Sequence, residues 1–451
     1  MAAAGIVMIG AVPFSQSQAG SLPLPHTPSR SGPTQQTSVA VVGAGIVGAC
    51  VALVLRRAGV ATTLIDAQPP GSGTTSGNAG LISVDSCIPL ALPGLLRQLP
   101  GWLLDRSGPL ALDPAVLASR FSWFWQRLRS SRMARVLAIS DALRVLHRGA
   151  LVDYRELLGA EAFARHIRTD GQWHLSAKAS SSRSEDVAAL LRQRQGVSTQ
   201  ALDGAALHER LVGLAPSLQH GLWLPANAHT LDPTRLTQAL VEQFRLAGGV
   251  LQAAPVRAIG VAASGALMLS TPQGDQTFSH VVVAAGMRAP ELVRGLGVRV
   301  PLLAERGYHV QLPAQAGMPP VPVLFKDQGF VLTPMERGPR LAGKVDLQRD
   351  GSPPMLDRAR AMLEQAQKLW PALQGEGATF WMGERPSTPD SLPVLGRIAA
   401  VPNLFLACGH GHFGLVGAPM SARLVAAALL GHAPPIDPQP YALARFGRVV
   451  H

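Results

Sequence analysis

A glycine-rich turn between a short apolar strand and an apolar helix constrains this chain more than any other segment. Residues 39–42 read VAVV, GAGIVG follows with Gly43, Gly45 and Gly48, and the apolar pattern continues to Arg57 before the strand-like VATTLID. In such a strand–helix–strand unit the first glycine makes the tight turn, the second admits a pyrophosphate, and the third lets the helix pack on the strand. Free N–H groups and the dipole at the helix N-terminus then hold the diphosphate. The segment therefore predicts a dinucleotide site.

The acid that ends the second strand supports this interpretation. Asp66 follows the glycines by about 20 residues, where a carboxylate accepts hydrogen bonds from the adenosine ribose. Two alternatives are weaker: an uncharged membrane-spanning helix over residues 39–55, and a glycine-rich helix packed closely in a core. The motif alone does not separate FAD from NAD. The cofactor contacts predicted in the turn are Gly43, Ala44, Gly45, Ile46, Val47 and Gly48.

Composition narrows the classes of protein that fit. With 47% hydrophobic and 15% charged residues, the 451-residue chain is expected to be globular and long enough for two domains. The net charge of +12 comes almost wholly from scattered arginines, so no nucleic-acid partner is expected. The densest arginine run, residues 127–135, fits a solvated helix face better than a docking surface.

The cysteines and residues 1–37 indicate the cellular compartment and the start of the folded chain. Cys50, Cys87 and Cys408 are far apart in the sequence and form no CxxC pair, so we expect neither a metal site nor a disulfide. A reducing, cytoplasmic location fits this usage. Residues 1–37 are rich in Ser, Pro, Gln and Gly and are expected to be a disordered extension.

Two further segments are candidates for contacting the cofactor. The loop PPGSGTTSGNAGLIS after Asp66 offers many backbone and hydroxyl donors, although an ordinary surface loop explains it equally well. The strand SHVVVAAG, at residues 279–286, ends in a glycine that returns to the carboxyl edge of the sheet. The predicted contacts from these parts of the chain are Ser76, Gly77, Asn78, Ala79, Gly80, Val256, Ala285 and Gly286.

This late return to the sheet implies an inserted second domain. We expect residues 38–87, 222–300 and 385–446 to form the nucleotide-binding domain. Residues 88–221 and 301–384 then form the other domain, with a helical stretch over residues 95–161 and strands near residues 308–312, 330–333 and 340–345.

The end of the chain holds two compact motifs. GERPSTPDSLPVLG places Arg385 directly before Pro386, and proline biases the preceding residue toward extended backbone. ACGHGHFGLVGAP reads as a strand, a Gly/His loop and a helix whose N-terminus is suited to an electron-rich group.

Together these motifs resemble one family. GAGIVG with Asp66, SGNAG, VVVAAG, ERGYHVQL, GERPSTPDSLPVLG and ACGHGHFGLVGAP occur in the order seen in FAD-dependent amine and amino-acid oxidoreductases, and the chain is most similar to the D-amino-acid dehydrogenase branch of D-hydroxyproline type. The resemblance covers residues 39–446. It implies an α/β, Rossmann-like FAD-binding domain of glutathione-reductase type. It also implies a substrate domain of the α+β class, inserted into the first and built on an antiparallel or mixed sheet.

The resemblance also implies a reaction and site residues. Hydride would pass from the α-carbon of a small D-amino acid or cyclic imino acid to flavin N5, giving an imine, with FAD held non-covalently. Arg385 would bind the substrate carboxylate, although an ion pair with Asp390 is the alternative. Tyr308 would lie near the substrate, although a strand aromatic is more often core. The other residues implied to contact flavin or substrate are His410, His412, Gly409, Gly411, Gly414 and Leu415.

Some features depart from the family, and other functions stay open. Pro339 and Asp346 stand where a smaller residue and Glu are expected. The alternatives are a glycine or sarcosine-type amine oxidase, an NAD-linked dehydrogenase, a non-catalytic flavin subunit, and a flavoprotein that oxidises carboxymethylaminomethyl groups on tRNA. The last usually needs a methyltransferase domain, for which 451 residues leave no room. The expected electron acceptor is oxygen, a quinone or a partner subunit, with a hetero-oligomer or a peripheral contact at the inner membrane face as further expectations.

Overall fold

The strand–helix–strand unit predicted from the glycines forms the centre of a six-stranded sheet. Strand β1 (Ser38–Val42) pairs in parallel with β2 (Ala61–Asp66) and β14 (His280–Val283). Beyond β2 lies β10 (Val250–Ala253); beyond β14 lie β21 (Val401–Cys408) and the antiparallel β20 (Val394–Ile398). This computed structural model describes residues 37–94, 108, 110–177 and 183–447. The extension expected over residues 1–37 lies outside them, except for Thr37.

Helices α1 (Ile46–Arg57) and α12 (Gly414–Leu430) pack on each other over one face of this sheet. The helix α1 is uncharged until its last turn, and eight of its residues are buried, because it is covered by the sheet and by neighbouring helices. Its N-terminus points to the carboxyl edge of β1, as the glycine motif predicts. By length and composition alone, one described segment, residues 411–430, is able to cross a membrane, and 67% of its most apolar window is buried inside the protein.

The second large sheet is mixed. Its order is β19 (Thr379–Ser387), β15 (Leu303–Gln311), β18 (Gly338–Leu347), β17 (Phe330–Met335), β16 (Val323–Phe325), β6 (Gln172–Ser176), β8 (His220–Leu224) and β7 (Gln200–Asp203), and β4 (Leu110–Leu112) pairs with β18. One face packs on α11 (Asp357–Leu369). The other face forms the floor of a cavity.

Shorter elements complete the described chain. Two three-stranded sheets are formed by β11 (Ala258–Val261), β12 (Leu267–Thr271) and β13 (Gly274–Phe278), and by β3 (Leu81–Ile82), β9 (Ala228–Thr230) and β5 (Ile167–Arg168). The other described α-helices are α2 (Pro114–Ser119), α3 (Phe121–Ser130), α4 (Met133–His147), α5 (Ala150–Leu158), α6 (Ala160–His166), α7 (Arg183–Arg194), α8 (Gly204–Arg210), α9 (Pro233–Leu246) and α10 (Ala289–Arg294). Single 3₁₀ turns lie at Gly286–Arg288, Gly411–Phe413, Gln439–Tyr441 and Leu443–Phe446.

The strands of the six-stranded sheet come from residues 38–66, 250–283 and 394–408, while the domain boundaries themselves stay a prediction. The helical stretch expected over residues 95–161 is present from Pro114 onward, and residues 95–107 lie outside the described chain.

Candidate active site

A cavity of about 540 Å³ lies at the carboxyl edge of the six-stranded sheet. The turn after β1 forms one side of it, and two glycines there are required by packing. Gly43 has φ +109°, and a Cβ on it would lie 2.5 Å from the carbonyl oxygen of Ala284. A Cβ on Gly48 would overlap the carbonyl oxygen of Gly43. No side chain caps the first turn of α1 apart from a long contact, 3.3 Å, from Ile46 N–H to Thr75 Oγ1.

Asp66 lies at the rim of the cavity and also holds the glycine turn. Its Oδ2 accepts from the backbone N–H of Ala44 at 2.6 Å, and its Oδ1 accepts from Gln68 N–H at 3.0 Å. The sequence motif indicated a ribose contact for this carboxylate but not its bond to the turn. An acid here both closes the loop and presents oxygen to the cavity.

The loop between β2 and β3 divides its residues between this cavity and a second one. Thr74 and Asn78 line both cavities, whereas Gly77 and Ala79 line only the second. The indole of Trp381 packs against Gly77, where a Cβ would overlap the ring. The loop is therefore more than an ordinary surface loop.

The N-terminal end of α12 closes the far side of the first cavity. A 3₁₀ turn at Gly411–Phe413 leads into the helix, which has no side-chain cap and no acid in its first turn. Gly409, Gly411 and Leu415 line the cavity. This end of the helix therefore offers unpaired N–H groups to an electron-rich group.

Most of the predicted cofactor residues line this first cavity: Gly43, Ala44, Gly45, Ile46, Val47, Asp66, Asn78, Val256, Ala285, Gly286, Gly409, Gly411, Gly414 and Leu415. Gly48, Ser76 and Gly80 line neither cavity. Because Gly48 lies where α1 meets the turn, it acts on the cavity through packing. The glycine turn, the uncapped helix end and the elongated lining suit a dinucleotide such as FAD.

The second cavity, of about 430 Å³, adjoins the first and shares the lining residues Trp381, Gly383 and Gly411 with it. Arg385 lies here on β19, with its guanidinium over Gly307, where a Cβ would overlap it. The hydrogen bond that Arg385 makes among described residues is a long one, 3.5 Å, from Nη1 to the Lys344 carbonyl. Burial lowers its pKa.

The alternative ion pair between Arg385 and Asp390 is absent. Asp390 instead accepts from Arg445 at 2.7 and 3.1 Å, on the other side of the chain turn. In the described part of the chain no carboxylate lies within ion-pair distance of Arg385. Arg385 is half-buried, and Glu305 and Asp346 attract it only from beyond that distance. A partly desolvated guanidinium is stabilised by a ligand that supplies an anion. The geometry therefore favours an anion site at Arg385.

A buried acid, which the sequence reasoning missed, lies behind this site. Glu305 pairs in register with Arg385 across the sheet, and its oxygens lie 3.5 Å from Arg127 Nη1 and 3.6 Å from His412 Nδ1. Although burial acts to raise it, Arg127 holds the pKa of Glu305 below its ordinary value. The motif ERGYHVQL contained this acid, but nothing in the sequence connected it with residue 127.

The two predicted histidines are both neutral and lie in different cavities. His412 lines the second cavity, and burial, together with the charge of Arg385, lowers its pKa to about 4. His410 lines the first, with Nε2 2.9 Å from Ser421 Oγ, and burial lowers its pKa to about 3. Only His412 is in position to contact a substrate near Arg385.

Tyr308 lies elsewhere than expected. Successive residues of a strand face opposite sides, so Gly307 faces the cavity and Tyr308 faces the core under α11. Its hydroxyl donates to Asp346 Oδ2 at 2.6 Å and accepts from the N–H of Met355 at 3.1 Å. Tyr308 lines neither cavity, and the alternative reading of it as core is the one the structure supports. Asp346, a departure from the family pattern, is its partner.

A dinucleotide cavity beside a smaller cavity, whose half-buried arginine has no ion pair among the described residues, is the arrangement of a two-domain flavin-dependent oxidoreductase. The comparisons with known proteins agree. Residues 38–428 match the DAO family, described as FAD dependent oxidoreductase, and the chain belongs to this family. The cofactor is accordingly FAD.

Named relatives match over nearly their whole length. The D-amino-acid oxidase of Bradyrhizobium diazoefficiens is 32% identical over 415 residues, covering 90% of this chain and 98% of that protein. The D-amino acid dehydrogenase 2 of Pseudomonas aeruginosa is 31% identical over 417 residues, covering 88% and 96%.

Solved structures show the same fold. Glycine oxidase from Geobacillus kaustophilus has a TM-score of 0.67 at 22% identity, covering 91% of this chain and 99% of that one. L-proline dehydrogenase from P. horikoshii has a TM-score of 0.68 at 19% identity, covering 91% and 98%. The expected fold, an α/β FAD-binding domain joined to a substrate domain on a mixed sheet, is confirmed.

Proposed function

We propose that this chain is an FAD-dependent dehydrogenase or oxidase of a D-amino acid or a cyclic imino acid, the D-proline and hydroxyproline type included. Relatives named as oxidase and dehydrogenase of D-amino acids support the class. The observation that carries the proposal is Arg385, half-buried beside the cofactor cavity and without an ion pair in the described part of the chain. A planar guanidinium binds a carboxylate through two parallel hydrogen bonds.

The protein's part in the reaction is positioning. When bound, FAD supplies the oxidising chemistry by accepting hydride from the substrate. Arg385 holds the carboxylate, and β19 fixes where that anchor lies relative to the first cavity. Trp381 lines both cavities, so its ring limits how a substrate passes between them.

His412 is suited to accept a hydrogen bond from the substrate's amino group. Its Nδ1 lies 3.6 Å from Oε2 of Glu305, and this carboxylate favours the tautomer with the proton on Nδ1 and Nε2 as the acceptor. Since burial lowers the pKa of this histidine to about 4, it accepts a hydrogen bond from an amine without taking its proton. A neutral amine is the form from which hydride leaves.

The test is anaerobic reduction of the purified yellow protein. D-proline, the hydroxyproline isomers, D-alanine, D-glutamate, glycine and sarcosine are each mixed with it, and flavin bleaching is followed at stopped-flow times. We expect D-amino or imino acids to bleach the flavin faster than their L-enantiomers. Failure of every amino acid to reduce the flavin would refute the proposal.

The electron acceptor and the mode of FAD attachment are tested with the same preparation. We propose non-covalent FAD, since burial raises the pKa of Cys408, the thiol in the first cavity, to about 12 and keeps it protonated. Acid precipitation should then release all flavin into the supernatant. We also propose a cytoplasmic location, with or without a membrane contact. Electrons from the reduced flavin would pass to oxygen, a quinone or a partner protein. Comparing oxygen uptake with dye reduction separates an oxidase from a dehydrogenase.

A further inference from the structure

A row of side chains crosses six neighbouring strands on the face of the sheet that floors the second cavity, and all of the row except His309 line that cavity. Residues directly opposite each other in paired strands share a face of the sheet. The pairs in register run from β19 through β15, β18, β17 and β16 to β6, and join Trp381, His309, Ala342, Val331, Leu324 and His174. Five strand spacings of about 4.8 Å make this floor roughly 24 Å long. Arg385 lies at its β19 end, so the cavity continues well beyond the carboxylate site.

The β6 end of this floor is polar and buried. Gln172 and Asn227 are each 2% exposed. Gln172 Oε1 accepts from Ser83 Oγ at 2.9 Å, and its Nε2 lies 3.1 Å from Nε2 of His174. Burial lowers the pKa of His174 to about 3, so this histidine is neutral. The far end of the cavity therefore presents buried polar side chains beside apolar ones such as Leu224, which pairs in register with Gln172.

A second unpaired guanidinium faces this far end. Arg192, on α7, lines the cavity there beside Asp85 and Cys87. Asp85 is already engaged, because Arg144 Nη1 lies 3.0 Å from its Oδ1. Across the described ranges Arg192 has neither a hydrogen bond nor an ion pair, and burial lowers its pKa. Asp85 and Glu185 attract Arg192 without forming an ion pair with it, and each is already paired with another cation, Arg144 and Lys326. The far end thus carries a guanidinium that is still able to bind an anion.

We propose that Arg192 binds an anionic group at the end of the substrate's side chain, so that the substrate class is D-amino acids with a second carboxylate. The proposal rests on the proposed function, in which Arg385 holds the α-carboxylate. Two guanidiniums in one cavity, neither with an ion pair among the described residues, match a ligand with two separated anions. Because the floor is long, preference should rise from D-aspartate to D-glutamate and D-2-aminoadipate. Cationic side chains are repelled.

The first experiment measures kcat/KM for matched pairs with the FAD-loaded full chain. D-2-aminoadipate is compared with D-norleucine, and D-glutamate with D-glutamine. We expect the acidic member to be preferred by about 30-fold or more in each pair. Arg192→Met should lower that ratio to near one. Arg194→Met is the matched control, because Arg194 lies on the same helix but pairs with Asp141 at the surface, and it should leave the ratio unchanged.

The second measurement is binding without turnover. Glutarate, adipate and pimelate are titrated against hexanoate by the change in the flavin absorption spectrum. The dicarboxylates should bind more tightly than the monocarboxylate, and Arg192→Met should abolish the difference. If Arg192→Met does not fold, the wild-type series still decides the question.

The outcomes separate the two proposals. If the kcat/KM for D-proline or neutral D-amino acids equals that for the acidic ones, the proposed function stands and the proposed role of Arg192 is wrong. Equal affinity for dicarboxylates and monocarboxylates would likewise show that the proposed role of Arg192 is wrong. If no amino acid is oxidised but dicarboxylates bind tightly through Arg192, the anion site stands and the proposed function is wrong.

Discussion

Replacing Arg385 with leucine tests the site most directly. The guanidinium lies over Gly307 in the second cavity, and no described carboxylate is within ion-pair distance of it, so a bound anion is expected from the substrate. Truncating one member of a buried, hydrogen-bonded charge pair costs about 2 to 5 kcal/mol of binding. At about 1.4 kcal/mol per tenfold, kcat/KM should fall by roughly 30-fold to 5,000-fold.

The same variant should keep its cofactor and its stability. Arg385 lines the second cavity and not the first, so the ratio of flavin to protein absorbance should match that of the wild type. Since burying an unpaired charge destabilises the free protein, Tm should not fall. Arg385→Lys keeps the charge but loses the bidentate geometry, and should fall between wild type and Arg385→Leu.

Steady-state kinetics of the purified variants with the best amino acid substrate measure the effect. Arg360→Leu is the control, because Arg360 is a surface residue on α11, paired with Asp357, on the opposite side of the same sheet. A kcat/KM for Arg385→Leu within threefold of the control would refute the assignment of the carboxylate site. A loss of activity together with loss of flavin would show that the variant acts on the cofactor instead.

The other predictions concern the cofactor turn, the core and pH. Gly48→Ala should yield protein with little FAD, because its Cβ would overlap the backbone of the glycine turn. Gly295→Ala is the control, because its Cβ would make only an ordinary contact, 3.9 Å from the carbonyl oxygen of Ile259, and it should bind FAD normally. The ratio of flavin to protein absorbance measures the difference. Tyr308→Phe should lower the unfolding free energy by about 1–3 kcal/mol through the lost bond to Asp346, while kcat/KM changes less than threefold, as urea melts and kinetics will show. Because burial lowers the pKa of His412 to about 4, the residue is neutral at all higher pH, so His412→Asn should leave the shape of the kcat/KM profile unchanged between about pH 5.5 and 8. A change of slope near pH 6.5 in the wild-type kcat/KM profile that disappears in His412→Asn would contradict the neutral state of His412.

The cofactor half of the molecule was predictable because its determinants are local. The tight turn, the close approach of helix and strand and the acid at the end of β2 all lie within residues 39–66, and each requires a particular residue type. Gly43 and Gly48 show this most clearly, since no side chain fits at either position. Short-range spacing was sufficient to locate the cavity edge.

The substrate half was less predictable because its determinants are long-range. Whether Tyr308 or Gly307 faces the cavity depends on the face that a strand presents, and Lys344, at φ +51°, lies opposite a shift in pairing register between these two residues. The contacts of Glu305 with Arg127 and His412 join three distant segments. Motif order identified the strand ERGYHVQL but gave no information on its orientation, so the residue that the resemblance placed near the substrate, Tyr308, lines neither cavity.

The segment GERPSTPDSLPVLG shows how the two halves are kept at a fixed separation. Arg385 ends a run in which alternate residues, beginning at Trp381, face the cavity, and Pro386 holds the backbone extended as β19 ends. One residue further, Ser387 forms a backbone bridge to His410 in the loop that lines the cofactor cavity. The arginine and that loop are therefore joined by two residues of chain and one bridge, a link too short to flex. A carboxylate anchored at Arg385 is consequently held at a distance from the cofactor cavity that backbone geometry sets, which explains why rigid residues flank the arginine.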